Sequence, residues 1–145
     1  MVGIVSFGAY VPRYRLNRKT LTAAMGWFAG TGVAGEKAVA NHDEDSVTMA
    51  VAAGFDSLKG VKKETLDALY LATTTAPYRE RQDAGIVAAA LDLKGDVRTA
   101  DFTDSSKAGT AALIAGCDAV KGASAKSVMV CASDCRVAKP GSFEE

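Results

Sequence analysis

Short apolar runs alternate with stretches of helical periodicity along the chain. The apolar runs predict four β-strands, at residues 2–7, 66–73, 97–103 and 127–132. Four helices are predicted between and after them, at residues 18–27, 44–58, 82–91 and 107–122. In the second helix, core-facing spacings are held by Val47, Ala50, Val51 and Phe55. Loops or exposed connections are expected for residues 12–15 and 30–35, and a turn for 139–142.

Strands that alternate with helices favour an α/β fold, in which the strands pair in parallel through right-handed crossovers. The nearly continuous apolar strands indicate a sheet that is covered on both faces. In such sheets, functional sites gather at the carboxyl ends of the strands. Three segments are therefore expected on one rim of the sheet: residues 73–78, 103–106 and 133–134.

The segment from Asp101 to Gly122 organises the rest of the prediction. It reads as a strand end, a polar turn and a long helix that is rich in Ala and Gly. A helix with small or apolar residues on nearly every face is expected to pack in the interior. A side chain at its first turn would lie near free backbone N–H groups and the positive end of the helix dipole. Nucleophiles are often found at such points in enzymes.

Several motifs in this chain resemble one family. Residues 106–112, Ser-Lys-Ala-Gly-Thr-Ala-Ala, are similar to the nucleophile segment of the 3-hydroxy-3-methylglutaryl-CoA synthase branch of the thiolase superfamily. Residues 2–12, residues 43–50 and the strand end at 132–134 agree in the same order. The resemblance implies a layered αβαβα fold with a mixed, mainly parallel sheet. Residues 1–145 are expected to form its N-terminal half, with the C-terminal half lying outside the chain.

Two positions depart from the pattern of this family. Ser106 stands where the family has its nucleophilic Cys, and Thr74 stands where the synthases have a general acid/base Glu. Three explanations of Ser106 remain open: a helix cap together with Ser105, an acylated nucleophile, or an engineered replacement of Cys. Thr74 and Lys107 are predicted to contact the substrate, and Lys107 is expected in solvent or near the acyl-carrier entrance.

The resemblance also implies which groups must come from elsewhere. In the family, a His and an Asn of the second half polarise the thioester. The only His of this chain, His42, precedes a predicted helix and is interpreted as a polar loop residue. A second thiolase-like half or a homo- or hetero-oligomeric partner is therefore expected. Some family members also associate with a zinc-ribbon/OB-fold protein.

Composition and charge exclude several other classes of function. The formal net charge is zero and there is no basic run, which argues against nucleic acid and against a membrane surface. No signal peptide or transmembrane span is recognisable, so a cytoplasmic location is expected. With three cysteines and one distant His, neither a disulfide framework nor a metal site is expected. Cys117 is predicted to be a small core residue.

Three hypotheses about function follow from these observations. In the first, the chain is part of an acyltransferase of the thiolase type, which uses acyl-CoA as substrate and has no covalently bound cofactor. In the second, it is a catalytically degenerate subunit that shapes the site of an active partner. In the third, it only binds an acyl-CoA.

Overall fold

The computed structural model describes residues 1–25 and 35–138. They belong to two compact units, one formed by Met1–Tyr10 with Asp45–Asp134 and the other by Val11–Glu44 with Cys135–Glu145. The first unit contains α2, a short 3₁₀ helix, β3, α3, β4, α4 and β5, at Ser46–Ser57, Lys63–Thr65, Ala68–Ala72, Asp83–Ala90, Arg98–Phe102, Ala108–Lys121 and Val128–Ala132. The second contains β1, α1 and β2, at Tyr14–Asn17, Arg18–Met25 and Glu36–Val39.

The first unit is built on a parallel three-stranded sheet in the order β4-β3-β5. Ala72 at the end of β3 lies opposite both Phe102 of β4 and Ala132 of β5, so the three strands end at one level. The predicted parallel pairing is therefore confirmed. Strands β3, β4 and β5 are shorter than the apolar runs that predicted them by three residues, two residues and one residue, respectively.

Helices cover both faces of this sheet, as the apolar strands predicted. On one face, α2 and α3 enclose a core of buried side chains that includes Val47, Ala50, Leu69, Leu71, Val87, Leu91 and Cys131. On the other face, α4 packs through Ala108 and Ala112 against Ala72, with Tyr70, Phe102 and Val130 around them. The prediction that Phe55 faces the core is wrong, because its side chain is 54% exposed.

Helix α4 is buried on one face only. Ala108, Ala112 and Gly116 recur every four residues and turn toward the sheet, where a Cβ on Gly116 would lie 3.1 Å from Cγ2 of Val130. The opposite face presents Leu113 and Ile114, which are 46% and 56% exposed. The expectation of a helix enclosed on every side is therefore wrong for the residues that the structure describes.

Residues 2–7, which were predicted to form a buried strand, are not paired in a sheet. Ile4 and Phe7 are 80% and 87% exposed. The segment is held on the end of α2, where the Ser6 hydroxyl donates to the Ser57 carbonyl over 2.7 Å. Gly8 touches the same helix so closely that a Cβ there would lie 2.3 Å from the backbone nitrogen of Ser57. The apolar pattern was read correctly, but a strand also needs a neighbouring strand, and none in the described part of the chain adjoins this segment.

The second unit contains a small antiparallel pair that the sequence did not predict. Strand β1 pairs with β2, with Tyr14 opposite Val39 and Asn17 opposite Glu36. Residues 12–15 had been predicted to be an exposed connection. Tyr14–Asn17 does alternate apolar and polar residues, a signal that the sequence interpretation missed, whereas Glu36–Val39 does not. The end of the predicted helix 18–27 and the predicted turn 139–142 lie outside the described residues.

Carboxylates cap α2 and α3 of the first unit. Asp45 forms a capping box at α2, accepting from the Thr48 backbone nitrogen over 2.7 Å. Asp101 at the end of β4 caps α3, because its two oxygens accept from the backbone nitrogens of Asp83 and Ala84, each over 2.7 Å. The Asp83 side chain itself is buried, and neither of its carboxylate oxygens has a hydrogen-bond partner among the described residues.

Replacing this buried carboxylate tests the cost of its charge. Burial raises the pKa of Asp83 above 3.8, and the charges of Asp101 and Asp45 raise it further. A raised pKa in the folded state means that stability is lost as pH rises from the ordinary pKa through the folded one. We therefore expect Asp83→Asn to increase the free energy of unfolding at pH 7 by about 1–3 kcal/mol. The gain should vanish below pH 3.8, as measured by urea unfolding across pH.

Asp92→Asn is the matched control for this prediction. Asp92 is exposed and forms an ion pair with Lys63, and that hydrogen bond and charge hold the pKa of Asp92 below its ordinary value. Its replacement should not stabilise the protein at neutral pH. A loss of stability at pH 7 on replacing Asp83 would contradict the assignment of that carboxylate as an uncompensated buried charge.

Candidate functional site

Three polypeptide turns meet where the parallel strands end. The Thr73 nitrogen donates to the Phe102 carbonyl, and the Ser133 nitrogen donates to the Ala72 carbonyl, each over 3.0 Å. These bonds extend the ladder one residue past the strands, so the following residues of each chain segment leave the sheet side by side. The sequence placed these segments on one rim, and the structure brings their first residues together.

A cleft of about 240 Å³ opens between these turns. Small residues and hydroxyl side chains line it, together with one carboxylate: Ala72, Thr73, Thr74, Ser105, Ser106, Ala108, Gly109, Ala132, Ser133 and Asp134. The alanines and Gly109 leave the space open, because their side chains are a methyl group or a hydrogen atom. Asp134 is the only ionisable residue in the lining.

Ser106 lies in the cleft immediately before α4, with its side chain exposed. The cap residue of this helix is Lys107, and no side chain caps it. The Ser105 hydroxyl accepts from the Lys107 nitrogen over 3.2 Å, whereas the Ser106 hydroxyl has no hydrogen-bond partner among the described residues. A capping role therefore applies in part to Ser105 and not to Ser106. The explanation of Ser106 as a helix cap is wrong.

The two carboxylates near this turn have separate roles. Asp101 caps α3 and not the helix that follows it in the chain. Asp104 has a left-handed backbone conformation, with φ of 63°, and accepts from the Thr103 hydroxyl over 2.9 Å. Asp residues tolerate this conformation better than most, so Asp104 helps to turn the chain from β4 into α4.

Thr74 lies in the cleft and is held by Asp134. Oδ1 of Asp134 accepts from the Thr74 nitrogen over 2.6 Å and from the Thr74 hydroxyl over 3.0 Å. The Thr73 hydroxyl donates to the same oxygen over 3.2 Å. Sequence reasoning placed Asp134 on the rim but gave it no role. The available signal was a charged residue directly after an apolar strand, at the end where sites gather.

The other predicted residues are not among those that line this cleft. Lys107 is exposed and does not line it, so substrate binding by Lys107 stays a prediction. His42 belongs to the second unit, where its Nδ1 lies 3.1 Å from Oδ1 of Asn41. Within residues 1–25 and 35–138, no group of three His, Cys, Asp or Glu side chains could hold a metal ion. In the same residues, no helix has the length and apolar character to cross a bilayer.

None of the cysteines lines the cleft. Cys131 on β5 is the buried one and belongs to the core beneath α2 and α3. Cys117, which was predicted to be a core residue, is only partly buried. Burial raises the pKa of the Cys131 thiol to about 11, so it is un-ionised at neutral pH and a poor nucleophile. Of the side chains in the cleft, the hydroxyls are therefore the candidate nucleophiles.

Sequence comparison finds hydroxymethylglutaryl-CoA synthases along nearly the whole chain. The synthase of Pyrococcus furiosus is 34% identical over 146 aligned positions, which cover 99% of this chain and 41% of that protein. The synthase of Caldivirga maquilingensis is 37% identical over 150 positions, covering 99% of this chain and 43% of that protein. The chain thus spans about two fifths of the length of the curated relatives it matches. No protein-family model matches it.

Solved structures of related enzymes share the same fold. The 3-oxoacyl-[acyl-carrier-protein] synthase III of Aquifex aeolicus VF5 superposes with a TM-score of 0.78 at 27% identity, over 91% of this chain and 44% of that one. MvaS in complex with 3-hydroxy-3-methylglutaryl coenzyme A superposes with a TM-score of 0.73 at 27% identity, over 85% of this chain and 31% of that one.

Thiol labelling tests the environment of Cys131. Because its pKa is about 11 and its side chain is buried, we expect Cys131 to resist iodoacetamide at pH 8 in the folded protein. It should react fully in denaturant. Peptide mass spectrometry of native and denatured samples gives the measurement, and a Cys131→Ala variant confirms the peptide assignment. Complete labelling of Cys131 in the native protein would contradict its place in the core.

Proposed function

Since the chain has a thiolase-like α/β fold and is a hydroxymethylglutaryl-CoA-synthase-like member of the thiolase superfamily, we propose that it is part of an acyltransferase acting on acyl-CoA thioesters. The proposed reaction is the Claisen-type formation or cleavage of a carbon–carbon bond. The observation that carries the proposal is the cleft at the strand ends, where Ser106 begins the segment that resembles the family's nucleophile segment.

Acyl transfer would begin at the Ser106 hydroxyl. Its oxygen attacks the thioester carbonyl carbon, the carbon–sulfur bond breaks, and CoA leaves with the proton that the hydroxyl releases. The first turn of α4 presents backbone N–H groups that have no intrahelical acceptor, and these suit the negative oxygen of the tetrahedral intermediate. A serine needs a base for this step, because its hydroxyl does not ionise readily as a cysteine thiol does.

The remaining groups of the site would come from outside these 145 residues. The family's His and Asn have no counterpart in the cleft, whose lining holds hydroxyls, small residues and Asp134. We propose that a second thiolase-like half, or an oligomeric partner, supplies them. A zinc-ribbon/OB-fold partner and a cytoplasmic location remain predictions from the resemblance.

A second candidate function is a catalytically degenerate subunit that binds or shapes the site of an active partner. The specific observation in its favour is that both positions that define the synthase reaction are changed, to Ser106 and Thr74, although the strand ends of this chain form a cleft. A third candidate function is the binding of an acyl-CoA in this cleft without turnover. The three functions differ in whether Ser106 becomes acylated and in whether a partner loses activity without this chain.

An acylation experiment on the purified native assembly separates these functions. The assembly is incubated with acetyl-CoA, quenched in acid and analysed by mass spectrometry for acetyl-Ser106. An acyltransferase should give this adduct in the wild type and lose it in Ser106→Ala, because the Ser106 hydroxyl is the proposed attacking group. Ser106→Cys should acylate at least as fast, because a thiolate forms readily at a helix start. Ser105→Ala is the matched control and should keep the adduct.

The contrary results are equally specific. An acetyl group that persists in Ser106→Ala would show that another residue is the nucleophile. Acylation in Ser106→Cys but not in the wild type would favour the degenerate subunit. Native mass spectrometry of the same assembly identifies each polypeptide in it. A homo-oligomer without any further chain would contradict the proposal that a second half completes the site.

A further inference from the structure

The carboxylate of Asp134 is joined to the hydroxyl of Thr74 by a direct hydrogen bond at the edge of the cleft. The Thr74 hydroxyl donates to Oδ1 of Asp134 over 3.0 Å, and the Thr74 nitrogen donates to the same oxygen over 2.6 Å. Two further hydroxyls surround this oxygen, that of Thr73 at 3.2 Å and that of Thr75 at 3.5 Å. The position of the carboxylate is therefore fixed from several directions.

The hydrogen bond between Thr74 and Asp134 also determines which hydrogen bonds Thr74 can form with a ligand. Because its proton is directed to Asp134, the lone pairs of the Thr74 oxygen remain to accept a hydrogen bond from another direction. Both residues line the cleft that contains Ser106, and Asp134 is the only ionisable residue in that lining. A proton released by a ligand in this cleft therefore has one carboxylate within the described chain to reach, either directly or through Thr74.

We propose that the Thr74–Asp134 pair carries out the proton transfer at the acyl group, with Thr74 as the relay and Asp134 as the acceptor. The inference rests on the proposed function, because it requires an acyl-CoA in the cleft. The proton on the α-carbon passes to the Thr74 oxygen while the Thr74 proton passes to Oδ1 of Asp134. The electrons of the broken carbon–hydrogen bond form the enolate, so the negative charge moves from Asp134 to the substrate.

The composition of the cleft explains why a threonine serves at position 74. A second carboxylate at this position would adjoin Asp134, and two like charges in contact disfavour the simultaneous ionisation of both groups. A threonine keeps a single negative charge in the cleft and places an exchangeable proton between that charge and the ligand. General acid–base catalysis of this kind contributes a rate factor of about 10²–10⁴.

Exchange of the α-protons tests the inference without requiring a complete turnover. The native assembly is mixed with acetyl-CoA in D₂O, and loss of the acetyl methyl signal is followed by NMR. We expect Asp134→Asn and Thr74→Val to slow exchange by about 100-fold. Thr74→Ser should keep the rate within about threefold, because it retains the hydroxyl. Binding of acetyl-CoA, measured by calorimetry, should change little in all of these variants.

A relocated carboxylate provides a second, independent test. Thr74→Glu alone should be slow, because it creates two adjacent carboxylates. Combining Thr74→Glu with Asp134→Asn leaves one carboxylate in the cleft and should recover the rate to within about tenfold of the wild type. A merely structural role of Asp134 does not predict this recovery, because the double variant loses the original hydrogen bonds.

Asp67→Asn is the matched control for structural effects. Asp67 lies before β3 at the opposite end of the sheet, where it accepts from the backbone nitrogens of Lys126 and Ser127 over 2.6 and 3.3 Å. Like Asp134, it joins β3 to β5, but it does not line the cleft. Its replacement should lower the melting temperature as Asp134→Asn does, and should leave exchange unchanged.

The outcomes separate the inference from the proposed function. A wild type that fails to bind acetyl-CoA would overturn the proposed function and the inference together. Binding without exchange would overturn the proton transfer and leave acyl-CoA binding intact. Exchange that is unaffected by Asp134→Asn, or that Asp67→Asn slows to the same extent, would also overturn the role of the pair.

Discussion

The common end level of three parallel strands is the constraint on which the site depends. Because β4, β3 and β5 pair in register, the chain leaves each strand at the same edge of the sheet. Thr73 and Ser133 continue the ladder for one more residue and so fix where the turns begin. A shift of one residue in either pairing would turn every following side chain to the other face. The hydroxyls of the cleft and the carboxylate of Asp134 would then no longer meet.

Carboxylates hold both ends of this arrangement. At the amino end of β3, Asp67 accepts from the start of β5, and the Lys126 N–H group and the Lys94 ammonium hold the pKa of Asp67 below its ordinary value. At the carboxyl end, Asp134 accepts from Thr73 and Thr74. In both bridges a carboxylate joins β3 to β5. Asp67 precedes β3 and accepts from residues that precede β5, whereas Asp134 follows β5 and accepts from residues that follow β3. Of the two carboxylates, Asp134 lines the cleft at the strand ends and Asp67 does not, so the proposed chemistry belongs to the carboxyl end alone.

The alternation of strands and helices was sufficient to predict the parallel sheet, its two covered faces and the rim that carries Thr74 and Ser106. The same alternation did not predict segments whose structure depends on contacts with residues far away in the sequence. Residues 2–7 have the composition of an interior strand, yet Phe7 is exposed because no strand in the described residues pairs with them. Strand β1 alternates apolar and polar residues over only four positions and β2 does not alternate, so the pair left little signal in the sequence. The role of Asp134 also depends on a contact across 60 positions, between its carboxylate and Thr74, which no local pattern encodes.

The close packing of α4 then decides where Ser106 lies. Ala112 and Gly116 allow the helix axis to approach β5, and a Cβ on Gly109 at the first turn would lie 3.6 Å from Cβ of Ala132. The tight position is Gly116, where a Cβ would lie only 3.1 Å from Cγ2 of Val130, so a larger side chain there would move the helix away from the sheet. At Gly109 the distance is that of an ordinary contact, so this glycine is not required by the packing. The packing of α4 on β5 thus brings its first turn beside the strand ends, where the hydroxyl of Ser106 and the hydrogen-bonded carboxylate of Asp134 line one cleft.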